Sequence, residues 1–305
     1  MWWIWSLPLL SGIADASARG VIKLTKVHGL TLIAAGSLFA LPFYAVWLIL
    51  EGAPQIHPAF WLAVGLHALL LLLANIMTLE AHRSSPLILT APYLSLTPAF
   101  LLVTAPLMGG GNPTWLGGAG VLIITFGLYI LNSQNGHKDW IQPFRNLAKE
   151  RGSRLMLAVA FIFAFTANLD LIALRASNAA FYLLVDHGLV GVLSLILIFI
   201  YLWSGRASNE ETSPKGSWLV LMFYGVAAAA SSIPHILALR WIPVVPYVIA
   251  SKRAGTIFFT VLMGFIFAFI LKRPDFQNEK ENLWHRVFGV LLMVIGMIVI
   301  IFYGR

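Results

Sequence analysis

Two stretches decide how this chain is read: "WLGGAGVLIITFG", residues 115–127, and "WHRVFGVLLMVIG", residues 284–296. Both follow the pattern W-x4-G-V-L-x4-G. Upstream of each, "ANIMTLEAHRSSP" (74–86) aligns without a gap on "PHILALRWIPVVP" (234–246). Apolar helices align easily by chance, but shared Trp, Gly and Pro positions are harder to obtain that way. The sequence therefore reads as two copies of one unit.

The rest of the 305 residues has the same character. Apolar residues make up 59% and charged residues 10%, where a soluble domain carries about a quarter charged. Mean hydropathy is +0.85. Ten apolar runs are each near the length that crosses a bilayer as a helix: 2–22, 29–49, 58–80, 85–107, 115–132, 155–175, 179–203, 217–239, 244–271 and 284–302. The expected fold is all-α, a polytopic membrane protein. Its longest polar connection, "SQNGHKDWIQPFRNLAKERGSR" (133–154), separates a first five-helix unit, 1–133, and a basic linker, 134–154, from a second five-helix unit, 155–305. With an odd number of spans per unit, the second must enter the membrane from the opposite side. Inverted repeats of this kind are built into transporters, with substrate near the midplane where they meet. The start "MWWIWSLPLL" lacks a basic leader and reads as the first span rather than a cleaved signal. The chain has no cysteine, which removes disulfides, thiol catalysis and thiolate metal sites. It has no phosphate-binding P-loop for primary pumping. No cofactor and no metal is expected.

Two further stretches carry a resemblance. "SSPLILTAPYLSLTPAFLLVTAPL" (84–107), followed by "WLGGAGVLIITFGLYILN", is similar to the end of an EamA repeat. "VVPYVIASKRAGTIFFTVLMGFIFAFIL" (244–271), followed by "WHRVFGVLLMVIGMIVI", is similar to a second copy. The chain thus resembles the drug/metabolite transporter superfamily, whose ten-helix members carry small metabolites. That resemblance implies a non-enzymatic secondary carrier, multi-pass in the cell's inner (plasma) membrane. Many EamA repeats bear a glutamate after the fourth helix. Here that position reads "MGGGNP" and its counterpart "LKRPDF", so the acid is absent.

The net charge of +8 comes from 20 Lys and Arg against 12 acids. It is concentrated in alternate loops, those after spans one, three, five, seven and nine; the other side holds Arg175, Arg240 and Arg305. Basic cytoplasmic loops account for this pattern, and nucleic acid is not expected as a partner. The charge count places both termini outside, whereas the resemblance implies both inside. "IQPFRNLAKERGSR" (141–154) reads either as a helix lying in the interface or as a solvated loop. Trp2, Trp3, Trp5, Trp61, Trp115, Trp140, Trp218, Trp241 and Trp284 fall near span ends, as an interfacial aromatic belt does.

Charged residues inside spans are costly and carry the functional reading. Lys252 and Arg253, in "YVIASKRAG", are adjacent cations within an apolar run. Deep acids number three: Asp15, Asp170 and Asp186. Arg19, four residues from Asp15, shares its helix face, so the two form either an internal ion pair or part of a cavity wall. The remaining positive charge suits an anionic ligand, since arginine grips phosphate or carboxylate with two parallel hydrogen bonds and lysine adds a point charge. Lys252 and Arg253 also resemble a Lys-Arg pair in the ninth helix of the plastid sugar-phosphate translocators, which implies a phosphate-binding role. Tyr247 adds a hydroxyl. His235 and Asn75 align across the repeat and are candidate cavity positions. Asp186, His187, Asp170 and Asp15 are candidates for proton coupling. His67 reads as a lone packing histidine. The expected partners are a small metabolite, the lipid bilayer, and a proton or counter-substrate, with a homodimer left open. A lipid-phosphate flippase is the alternative, and a lipid-modifying enzyme a weaker one.

Overall fold

A computed structural model describes residues 2–22, 29–85, 93–132, 147, 149–203, 217–266 and 283–304. The chain is all-helical there, with no strand among the described residues. A 3-10 turn, Trp2–Trp5, leads into α1 (Ser6–Ile22). There follow α2 (Gly29–Leu38), α3 (Leu41–Glu51), α4 (Ala59–Ser84), α5 (Thr97–Met108) and α6 (Trp115–Asn132). The second half holds α7 (Arg151–Arg175), α8 (Ala179–Trp203), α9 (Ser217–Trp241), α10 (Val245–Phe265) and α11 (Leu283–Tyr303).

Five described segments are long and apolar enough to cross a membrane: Gly29–Glu51, Ala59–Ala81, Arg151–Arg175, Ala179–Trp203 and Trp218–Trp241. The chain is a helical membrane protein. Its outward face is what a bilayer requires: Leu50, Ile49, Leu107, Leu62 and Phe199 are all exposed, as lipid-facing apolar side chains are at no cost in hydrocarbon. Trp61, Trp115, Trp218 and Trp241 stand exposed at helix ends. The basic stretch 133–146, with Trp140, lies outside the described residues.

Two prolines shape the interior. Gly29–Glu51 is broken at Phe39–Ala40, where Pro42 opens α3 and has no N–H to return to the preceding turn. Pro234 lies inside α9 and removes one hydrogen bond beside His235.

Small residues let the helices close. α6 and α11 are the most extensively packed pair and run antiparallel. A Cβ on Gly120 would stand 2.8 Å from the Gly296 carbonyl oxygen, and one on Gly296 would stand 2.6 Å from the Gly120 carbonyl. Gly127 and Gly289 make the same reciprocal approach, 2.8 and 3.1 Å. The two W-x4-G-V-L-x4-G segments thus pack on one another. At a second crossing, Gly12 of α1 and Gly255 of α10 face each other's backbones. Otherwise α4 packs along α7, α1 against α9 and α10, α7 against α5, and α8 against α2, α3 and α4.

One end of the bundle is described on both sides of every connection. There Arg240 Nη1 donates to Glu51 Oε1 at 2.8 Å, and the Asn178 amide donates to the Gly52 carbonyl at 2.8 Å. Arg175 donates to the Gly109 carbonyl at 2.8 Å, and the Val245 amide to the Gly110 carbonyl at 2.9 Å. Each of these bonds joins the first half of the chain to the second.

Candidate functional site

The centre of the site is a histidine that the sequence reading left as packing. His67, on α4, has Nδ1 2.6 Å from Asp186 Oδ1 on α8 and Nε2 3.1 Å from Asp170 Oδ1 on α7. Asp170 Oδ1 also accepts from the Tyr182 hydroxyl, and its Oδ2 lies 3.3 Å from His235 Nε2 on α9. His67, Asp170, Asp186 and His235 are all buried. Each of the two ring nitrogens faces a carboxylate oxygen; with a hydrogen on both, His67 is a cation that balances one of two buried acids.

His187, next along α8, extends the group. Its Nε2 lies 3.3 Å from the Tyr44 hydroxyl and 3.3 Å from Ser232 Oγ. Tyr44 is fully buried one residue turn beyond the break that Pro42 makes, and its ring lies 4.9 Å from the imidazole. The Nδ1 atoms of His187 and His235 are both buried and, among the described residues, without a hydrogen-bond partner. These side chains share one level. Counted at 1.5 Å per residue from the well-described end, Tyr44, His67, Asp170, Asp186 and His235 lie about 8–12 Å inside it, and Lys252 is at the same depth on α10.

Of the residues singled out beforehand, Asp170, Asp186, His187 and His235 meet. Lys252 is half-buried and within electrostatic reach of both His187 and His235. Arg253 is half-buried, its guanidinium carbon 5.9 Å from the centre of the Phe163 ring on α7. Both cations take part in further interactions, as does Asp15, half-buried on α1. The side chain of Arg19 lies outside the described residues. Asn75 is half-buried on α4, eight residues beyond His67. Tyr247 stands apart from the group. It is buried, and its hydroxyl accepts from the Thr114 amide at 2.8 Å, which ties α10 to the turn before α6.

Tyr44, Tyr182 and Ser232 went unnoticed in the sequence because a hydroxyl on an apolar helix gives no sign of its partner. His67 had a signal: an ionisable group within a span is a functional candidate by default. Among the described residues no group of His, Asp and Glu has the arrangement to hold a metal ion.

No family model and no curated protein matches the chain. Solved structures do: one, described as a crystal structure of a protein, is similar over 99% of this chain and 96% of its own, with a TM-score of 0.70 at 15% identity. At that identity the likeness concerns the fold, and it extends over the whole chain.

Proposed function

We propose that the protein is a secondary carrier of a small polar, anionic metabolite, of the EamA kind, working by alternating access between two inverted five-helix halves in the cell's inner membrane. One observation carries the reading: four ionisable side chains buried within membrane-crossing helices, His67 from one half and Asp170, Asp186 and His235 from the other, with the half-buried His187 beside them. Charged and titratable groups at such depth are expensive, and where they face a bundle interior they mark substrate and ion pathways. The helix pairing supports the repeat. Exchanging the halves turns the α1–α9 contact into α7–α4 and the α1–α10 contact into α7–α5, and α6–α11 returns to itself. The reciprocal glycine approaches fit the same exchange.

Lys252 and Arg253 supply the anion site. Lys252 stands beside the network on α10, Arg253 follows it against the Phe163 ring of α7, and both adjoin the close approach of α1 and α10 at Gly12 and Gly255. A carboxylate or phosphate bound there offsets their desolvation, with arginine giving direction and lysine charge.

The test is a thermal-shift screen of the purified protein against a metabolite library. A ligand at 100 times its Kd stabilises by about 2.7 kcal/mol. The best ligand should be an anion, and Arg253→Gln should weaken it at least tenfold with the fold intact. A cationic best ligand, or unchanged affinity in Arg253→Gln and Lys252→Gln alike, would defeat the proposal.

A further inference from the structure

Among the described residues, two ring nitrogens of the network can take a proton without losing a bond, Nδ1 of His187 and Nδ1 of His235. Both ring nitrogens of His67 face carboxylates, so that ring is full. His187 Nε2 is shared by two hydroxyls. His235 differs. Its Nε2 faces Asp170 Oδ2, so in the neutral ring that nitrogen carries the hydrogen and Nδ1 carries the lone pair. Among the described residues this Nδ1 is buried and has no hydrogen-bond partner. A carboxylate on the far nitrogen fixes this tautomer.

The charges can be counted. With His67 protonated and both aspartates ionised, the group His67–Asp170–Asp186 carries one net negative charge. A proton on His235 Nδ1 yields an imidazolium paired with Asp170, and the group becomes neutral. The groups that face His235 are Asp170 on α7, His67 on α4 and Lys252 on α10, with Asp186, His187 and Tyr182 on α8 next to them. Of these, Lys252 is the like charge that repels a second cation. An anion held by Lys252 and Arg253 would cancel that repulsion. By reciprocity, a proton on His235 would then strengthen anion binding by the same factor.

We propose that His235 is the proton-carrying group of this protein and Lys252 its electrostatic link to the anion site, so that one proton and one anion load together. This deepens the carrier reading and rests on it for the anion. No bond between heavy atoms is made or broken: a hydronium ion on one side gives up an O–H proton, which forms N–H on His235 Nδ1 and later returns to water on the other side.

The test is a histidine-selective 15N NMR titration of the full chain in lipid nanodiscs, with sulfate as the probe anion because it does not titrate in the range used. The resonance is identified by its loss in His235→Gln. In the wild type, His235 should gain a proton as the pH is lowered within the range where the fold persists. In sulfate it should do so at a proton concentration about fivefold lower, or less, than in chloride of equal ionic strength. Lys252→Gln should abolish the difference between the two salts, and Lys252→Arg should keep it. Equal titration of the wild type in both salts overturns the proposal, as does a His235 that stays neutral at every pH where the fold persists. Should Lys252→Gln not fold, the wild-type salt comparison decides by itself. Uptake into proteoliposomes is scored separately. An intact sulfate–proton linkage without any carried metabolite would remove the carrier reading and leave the linkage standing.

Discussion

Replacing Gly296 by alanine tests the α6–α11 seam, and the structure sets the size of the effect. The added Cβ would lie 2.6 Å from the Gly120 carbonyl oxygen and 2.7 Å from Ile124 Cγ1, where ordinary contact begins at 3.4 Å. The carbonyl belongs to helix backbone and cannot swing away, so α6 must retreat by about 0.8 Å along the seam. Overpacking of this kind costs about 1–3 kcal/mol, a factor of roughly 5–150 in the folded fraction. Gly120→Ala and Gly127→Ala, each at 2.8 Å from a facing carbonyl, should cost slightly less. Gly289→Ala should be milder still, because its nearest neighbour, 2.5 Å away, is the Leu131 side chain, which can change rotamer. Gly118 is the control on the same helix: its Cβ would meet Leu102 at 3.9 Å, so alanine there should be neutral or stabilising. Because Gly120 and Gly296 share one contact, the double variant should cost less than the two singles together. The assay is reversible unfolding in mixed micelles, followed by fluorescence of the 11 tryptophans. Wild-type stability in Gly296→Ala, or full additivity in the double variant, would refute the reasoning.

His67→Leu should destabilise the protein by about 3–5 kcal/mol in the same assay, because it leaves two buried carboxylates without their shared cation. Asp186→Asn keeps a hydrogen-bond acceptor for His67, so it should fold, yet lose uptake driven by a pH gradient in proteoliposomes; gradient-driven uptake at the wild-type rate would exclude Asp186 from coupling. Glu51→Ala removes the partner of Arg240 and of the Ala180 amide. It should raise the labelling rate of a single cysteine placed at Ser232, measured in a chain that has no cysteine of its own, and an unchanged rate would show that this end is held by other bonds. Tyr247→Phe should lower stability by about 1 kcal/mol through the Thr114 amide it leaves unpaired and leave affinity for an anion unchanged, whereas a loss of affinity would put the hydroxyl at the ligand.

Composition and hydropathy determined that this is an all-helical membrane protein, because the bilayer imposes length and apolarity on every crossing segment taken singly. The glycines at 120, 127, 289 and 296 were legible for a related reason: a residue without a side chain at two-turn spacing marks a close approach whatever the partner. That the partner of each motif is the other motif was not legible, since spacing within one helix carries no information about which helix it meets. The site divides along the same line. Asp170, Asp186, His187, His235, Lys252 and Arg253 stood out by their cost in an apolar run. The role of His67 did not, because its partner Asp186 is 119 positions away in the chain and only helix packing brings their atoms to 2.6 Å. Tyr247, attractive for its place one and a half turns before the cations, faces a turn instead. Asn75 and His235 are aligned in sequence, yet of the two only His235 joins the acids. Sequence determines which residues are too polar for lipid; which of them satisfy one another depends on helix rotation and on breaks such as those at Pro42 and Pro234, and these are set by the packing of all the helices together.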